Sequence, residues 1–163
     1  IMKVNDPILA SVFGATLSTK RTSAEANVDT TKIVIEPYAN PFRTWPLVED
    51  YEKFKYLFEK GVRAYVINTG FFLGKKVTKE LTLSIIESIV DEEAKFEQFV
   101  PGIEIMKIAG FDIDSKEYLD IFLEDINRRL VFLKSRKGTV DDLPDETISS
   151  LLVLKEHVSS KKV

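Results

Sequence analysis

Two short apolar runs on either side of an amphipathic helix pattern constrain this chain more than any other feature. Lys32-Ile33-Val34-Ile35-Glu36 reads as a strand stopped by Pro37, and Arg63 to Asn68, with Ala64, Tyr65, Val66 and Ile67, reads as a second. Both are rich in β-branched or aromatic residues and too short for a helix. Between them Tyr51, Phe54, Leu57 and Phe58 share one helix face, and Gly61 follows as a C-terminal stop. Strands that read as covered on both faces, joined by a helix, predict a right-handed parallel crossover in one sheet.

The remaining segments extend that pattern. Asp6-Pro7 ahead of Ile8, Leu9, Val12 and Phe13 predicts a short helix, with Asp6 as cap and Gly14 as stop. From Ala15 to Thr31 no apolar period runs through a polar stretch, and residues 14–31 form a candidate lid loop. Tyr38 to Pro46 is irregular, punctuated by Pro41 and Pro46 and holding Trp45. Thr78 caps a helix bearing Ile85, Ile86, Ile89 and Val90, and a third strand falls within Pro101 to Ile108. Ser115 caps the best helix in the chain, with Leu119, Phe122, Ile126, Leu130 and Leu133 three or four apart. Lys134 to Asp142 reads as a charged linker, a last helix runs from Pro144 to about Val158, and residues 159–163 read as a frayed tail. The expected fold is α/β: one domain over residues 1–163, with a mixed small sheet flanked by helices.

Composition excludes several classes of function. With 163 residues, 44% hydrophobic and 30% charged, the chain has an ordinary globular balance. A net charge of −3, with Lys and Arg spread among Asp and Glu, argues against nucleic acid as partner. The absence of cysteine removes disulfides and thiolate metal sites and fits a cytoplasmic setting. No apolar run approaches the ~18 residues that span a bilayer. Ile1 ahead of Met2, without a signal-peptide pattern, reads as a piece of a longer protein.

The richest segment for chemistry is Asn68 to Val77, followed by Thr82. It joins a strand end, the glycine-bounded loop Gly70-Phe71-Phe72-Leu73-Gly74, Lys75 and Lys76, and a helix start at Thr78. Open α/β sheets place ligands at such strand ends. Free N–H groups at a helix start and two lysines attract a polyanion. It is not a Walker A loop, because three residues rather than four separate the glycines and no Ser or Thr follows the lysine. By spacing alone, a plain strand-loop-helix connection is the commoner reading. The aromatic segment Glu36 to Phe42, around Tyr38, can form a wall for a ring ligand, but core filling is the commoner reading of such residues. His157, the only histidine, is a surface residue without a metal-site partner set. Asp112, Asp114, Asp141, Asp142, Asp145 and Glu146 read as caps and solvated faces, so no catalytic residue is assigned.

Taken in order, these segments resemble the C-terminal region of the phosphoenolpyruvate carboxykinases. Asn68-Thr69-Gly70, then Gly74-Lys75-Lys76-Val77, then Thr82 and Ile85-Ile86 resemble the ATP-type pattern. Phe13-Gly14-Ala15-Thr16 through Thr22-Ser23-Ala24-Glu25 resembles the family's lid segment, and Ile35 to Phe42 resembles the strand and aromatic turn after it. Val100-Pro101-Gly102-Ile103 resembles the loop before the last strand. The match covers roughly Ile8 to Lys134.

The resemblance implies a decarboxylating, phosphoryl-transferring lyase of gluconeogenesis. Such an enzyme turns oxaloacetate and ATP into phosphoenolpyruvate, ADP and carbon dioxide with Mn²⁺ or Mg²⁺. It implies that Lys76, Val77, Thr82, Tyr38 and Lys75 contact the nucleotide, and that Ser18, Thr19, Lys20, Arg21, Thr22, Ser23, Ala24 and Glu25 belong to a closing lid. The family's phosphate loop, oxaloacetate-binding arginine and metal ligands have no counterpart in this sequence. The expectation is therefore a C-terminal piece that binds nucleotide, partners a missing N-terminal domain, holds no metal and lacks activity by itself. Lys76 stands where the ATP-type family has arginine, which weakens stacking on a base, and Phe71-Phe72-Leu73 is more apolar than the family's loop. These departures keep open a catalytically dead carboxykinase-like binding module, and an unrelated α/β interaction domain is a further alternative.

Overall fold

A three-residue strand at the start of the chain organises the sheet. The computed structural model describes residues 1–20 and 33–162, with side chains for all of these except Lys20. β1 (Met2–Val4) lies between β4 (Ala64–Val66) and β8 (Ile103–Ile105), and β7 (Glu97–Val100) closes the far side. Every pairing in this four-stranded sheet is antiparallel. Strand alternation sorts the two faces. Met2 and Val4 stand opposite Val66, Ala64, Ile105 and Ile103 on the core side. Lys3 stands between Tyr65 and Glu104 on the other side and pairs with Glu104 at 3.1 Å. In β7 a bulge at Phe99 breaks the alternation, so that Phe99 and Val100 are both buried.

The parallel crossover does not form. β3 (Ile33–Ile35) pairs with β2 (Ser18–Lys20) in a separate antiparallel hairpin. The place beside β4 belongs to β1, whose three residues are too short to show a period in the sequence. Ile33 is 41% exposed, against the expectation of a strand covered on both faces. The sheet is thus antiparallel rather than mixed, within an α/β fold that has small sheets and five α-helices among the described residues.

The helices are mostly where the pattern puts them. α1 (Pro7–Ala15) is capped by Asp6, whose Oδ1 accepts from the Leu9 amide at 2.7 Å. Gly14 lies inside α1 instead of ending it, for a packing reason: a Cβ there would stand 2.8 Å from Cδ1 of Tyr38. α2 (Leu47–Glu59) ends before Gly61, whose φ of +93° suits glycine. Its buried side chains are Leu47 and Tyr51, whereas Phe54 and Leu57 are exposed. α3 (Lys79–Val90) buries Ile85 and leaves Ile86 and Val90 exposed. α4 (Lys116–Arg136) buries all five apolar residues read from its spacing. α5 (Asp145–Ser160) continues into the stretch expected to fray, and Lys162 bonds back to Asp120 on α4. One cluster of buried side chains joins β1, β7 and β8 to α1, α2, α4 and α5. Among the described residues no helix is long and apolar enough to cross a membrane.

Candidate functional site

The segment between β4 and α3 is a hairpin rather than an open loop. β5 (Phe71–Phe72) and β6 (Lys75–Lys76) pair in register Phe71↔Lys76 and Phe72↔Lys75. The two-residue turn places Leu73 at φ +46° and Gly74 at φ +78°, the signs that a type I′ hairpin turn requires. Asn68 fixes its base. The Asn68 Oδ1 accepts from the Gly70 amide at 2.9 Å, and its Nδ2 donates to the Phe71 carbonyl at 2.9 Å. The Val77 amide then donates to the Gly70 carbonyl at 2.8 Å. Thr78 starts α3, its Oγ1 accepting from the Leu81 amide at 3.2 Å.

A cleft of about 110 Å³ lies under the hairpin, between the end of β4 and the start of α3. Val66 and Asn68 line it from the strand side, Val77 and Leu81 from the helix side, and Phe72 and Tyr118 close it with their rings. Phe72 stacks on Tyr118 at 5.1 Å and meets Phe111 edge-on at 5.4 Å. Tyr118 is the only described side chain in the lining that titrates, and burial pushes its phenol up to about 12, with the negative charge of Asp125 adding to the effect. The cleft is apolar, with an amide at its mouth. It can hold a small apolar group or a ring edge, and its described side chains offer no acid or base for chemistry at neutral pH.

The lysines diverge. Lys75 folds over the Phe111 ring, 4.4 Å from its centroid, and donates to the Gly110 carbonyl at 3.3 Å. Lys76 is exposed, with no ion pair, hydrogen bond or ring contact to any described residue. Thr82 lies in the first turn of α3, where its hydroxyl donates to the Thr78 carbonyl at 3.0 Å. Lys75, Lys76, Val77 and Thr82 are therefore brought to one strand-to-helix junction, and of these Val77 lines the cleft itself.

Tyr38 is held elsewhere. Its ring fills the notch over Gly14, stacks on Phe54 at 4.3 Å and hydrogen-bonds Ser11 through its hydroxyl, with an Oγ to Oη distance of 2.8 Å. Burial, the largest cause, raises its phenol well above the ordinary tyrosine value. Tyr38 and Ala39 both have positive φ, 53° and 54°, a conformation that costs a non-glycine residue energy. Of the expected lid, Ser18, Thr19 and Lys20 form β2 rather than loop, and Ser18 Oγ donates to Asp125 Oδ1 at 3.0 Å. Arg21, Thr22, Ser23, Ala24 and Glu25 lie outside the described residues.

His157 bonds the Val153 carbonyl of its own helix at 2.8 Å. Among the described residues no group of three or more His, Cys, Asp or Glu could hold a metal ion. Sequence reasoning missed Asn68 as the organiser of the hairpin and Phe111 and Tyr118 as walls of the cleft. An asparagine two residues before a glycine at a strand end is a readable turn signal, whereas nothing in the periodicity of α4 separates Tyr118 from its core neighbours. Comparison with protein-family models, with curated proteins and with solved structures finds no significant match.

Proposed function

We propose that this chain binds an adenine nucleotide where β4 hands over to α3. On this reading it is the nucleotide-facing part of a carboxykinase-like protein whose phosphate loop, oxaloacetate-binding arginine and metal ligands belong to a domain N-terminal to it. Within that protein the reaction would be decarboxylation of oxaloacetate and capture of the enolate oxygen by the γ-phosphoryl group, with a divalent metal stabilising charge. This chain's contribution is to hold and orient the nucleotide.

One observation carries the reading. Val66 and Asn68 at the end of β4 share a cleft with Val77 and Leu81 at the start of α3, and the unpaired Lys76 stands at the same junction. A tight hairpin draws the strand end and the helix start together, as a ligand spanning them requires. The free N–H groups of the first turn of α3 and the Lys76 ammonium supply positive potential for phosphate.

Titration of the ¹⁵N-labelled protein with ATP is the test. The amides of Lys76, Val77 and Thr82 should shift together, saturably and with weak affinity. Shifts confined to α5, or none, would sink the reading. An assay with oxaloacetate, ATP and Mn²⁺ should show no turnover by this chain alone, and turnover would refute the division of labour proposed here.

A further inference from the structure

We propose that the outer face of α4 is a docking surface for a second copy of this chain, with the two α4 helices antiparallel and related by a two-fold axis at the level of Ile126. The interface is independent of the nucleotide reading above.

One face of α4 enters the core through Leu119, Phe122, Ile126, Leu130 and Leu133. On the opposite side Glu117, Ile121, Glu124, Arg128, Val131 and Ser135 follow one another at alternating steps of four and three residues. That spacing lines side chains up along a helix and is the seam of a two-helix coiled coil. Ile121 is 49% exposed and Val131 68%, and they are the large apolar side chains that α4 leaves to solvent. Glu124 is exposed, and its carboxylate has no ion pair or hydrogen bond to a described residue, not even to Arg128 one turn on. Arg128 turns instead to Asp125 at 2.9 Å. Asp125 also takes Arg129 at 2.7 Å, so one carboxylate faces two guanidinium groups and a positive charge is left over.

The seam complements its own reversed copy. Ile121 and Val131 stand five residues to either side of Ile126, and Glu124 and Arg128 two to either side. A two-fold axis at this level, perpendicular to α4, therefore sets Ile121 of one copy on Val131 of the other and Glu124 on Arg128. Each contact is made twice, as an isologous interface requires. The order of charge selects the occupant. Along the seam and its flank Glu117, Asp120 and Glu124 come before Arg128 and Lys134. An antiparallel copy meets opposite charge along this length, whereas a parallel copy meets like charge. A polyanion or an anionic membrane is repelled by the acidic half. The seam is about 27 Å long and has one kind of apolar contact, so the interface belongs to the small, transient class and forms at high protein concentration.

Analytical ultracentrifugation of the whole chain is the test. The apparent mass should rise from 18.6 kDa towards twice that value as concentration goes from about 10 µM to about 1 mM. Glu124→Lys and Arg128→Glu should each weaken self-association at least about ten-fold, because each sets like charges opposite one another at two places. An equimolar mixture of the two variants should recover it, since the exchanged charges then meet across the interface. Ile121→Asp and Val131→Lys make a second such pair, at exposed positions that leave the core and Asp125 undisturbed. Recovery in a mixture, with neither component associating by itself, is a result that a folding defect in one variant cannot produce. The proposal is overturned if the wild type stays monomeric throughout, if none of the four substitutions weakens the dimer, or if both mixtures remain as weak as their components.

Discussion

Arg129, buried on α4, donates through Nη1 to the carbonyl and the Oγ1 of Thr16, at 2.7 Å and 2.9 Å, where α1 ends. It reaches the Phe13 carbonyl as well at 3.4 Å, and its guanidinium lies 4.6 Å from the Phe13 ring. The last carbonyls of a helix have no partner within it, and here a cation from another helix supplies one. Asp125, bonded to Arg129 Nε at 2.7 Å, balances the charge and also receives the Ser18 hydroxyl of β2. One ion pair thus ties α4 to both the end of α1 and the first strand of the small hairpin.

Removing one member of so buried a pair leaves the other charge and several carbonyls uncompensated. Arg129→Ala is expected to lower the unfolding free energy by about 3 kcal/mol, measured by urea denaturation. Arg129→Lys should recover only part of the loss, since an ammonium cannot reach Thr16 and Asp125 with the same planar fork. A loss below about 1 kcal/mol for the alanine variant would mean that the network contributes little.

Gly14 gives an expectation opposite in sign to helix propensity. In an exposed helix interior, alanine is favoured over glycine by about 1 kcal/mol. At position 14 the added methyl enters the space held by the Tyr38 ring, itself locked by the Phe54 stack and the Ser11 hydrogen bond. Gly14→Ala should therefore destabilise by about 2 kcal/mol. In the Tyr38→Ala background the same substitution should become neutral or favourable. A stabilised single variant would show that Tyr38 can move aside without cost.

Acid should weaken the joint between α2 and the C-terminal segment. Asp141 is held below the ordinary carboxylate range, first by the two hydrogen bonds from Arg43 and then by the Leu47 amide at the start of α2. Glu146 is lowered by Lys55 and then by Tyr51, each bonded at 2.7 Å. A carboxyl whose folded pKa lies below its unfolded one adds stability above the unfolded value, and that contribution disappears as pH falls through the folded one. The unfolded values are 3.8 and 4.5, so stability should be flat near neutrality and decline below about pH 4.5. Asp141→Asn should cost about 2 kcal/mol at pH 7 and flatten the acid limb measured by thermal melts from pH 7 to pH 3. An unchanged acid limb in that variant would place the sensitivity elsewhere.

What the sequence made legible follows from how much signal each element carries. α4 has five apolar residues at helical spacing, and all five are buried, because a long helix repeats its pattern often enough to fix its face. β1 has three residues and one alternation, Met2-Lys3-Val4, so its central place in the sheet left no trace and the neighbour of β4 was misassigned. In α2 the aromatic spacing is real, but Phe54 serves Tyr38 at the surface while Leu47 and Tyr51 enter the core. At the candidate site the lysines, the helix cap and the strand end were all readable. The two-residue turn was not, because Leu73-Gly74 lacks the usual asparagine before glycine. That one turn decides which side of the hairpin each lysine occupies, and so separates Lys75 on Phe111 from the free Lys76.

Lys76 is where a substitution should improve binding rather than impair it. Its side chain is exposed and unpaired, so replacing it disturbs no contact among the described residues. An arginine at the same backbone position keeps the charge and adds a planar group with five donors, able to lie on a base and to grip phosphate through two bonds at once. A cation against an aromatic face at an exposed site is worth about 0.5–1 kcal/mol, and a second phosphate bond adds a similar increment. Lys76→Arg should therefore tighten ATP binding by roughly five- to thirty-fold, read by calorimetric titration at low ionic strength. Raising the salt should erode the affinity of both forms, because an exposed cation is screened. Lys76→Met should lose most of the salt dependence. Equal affinity of the lysine, arginine and methionine forms would show that no phosphate or base approaches this side of the hairpin.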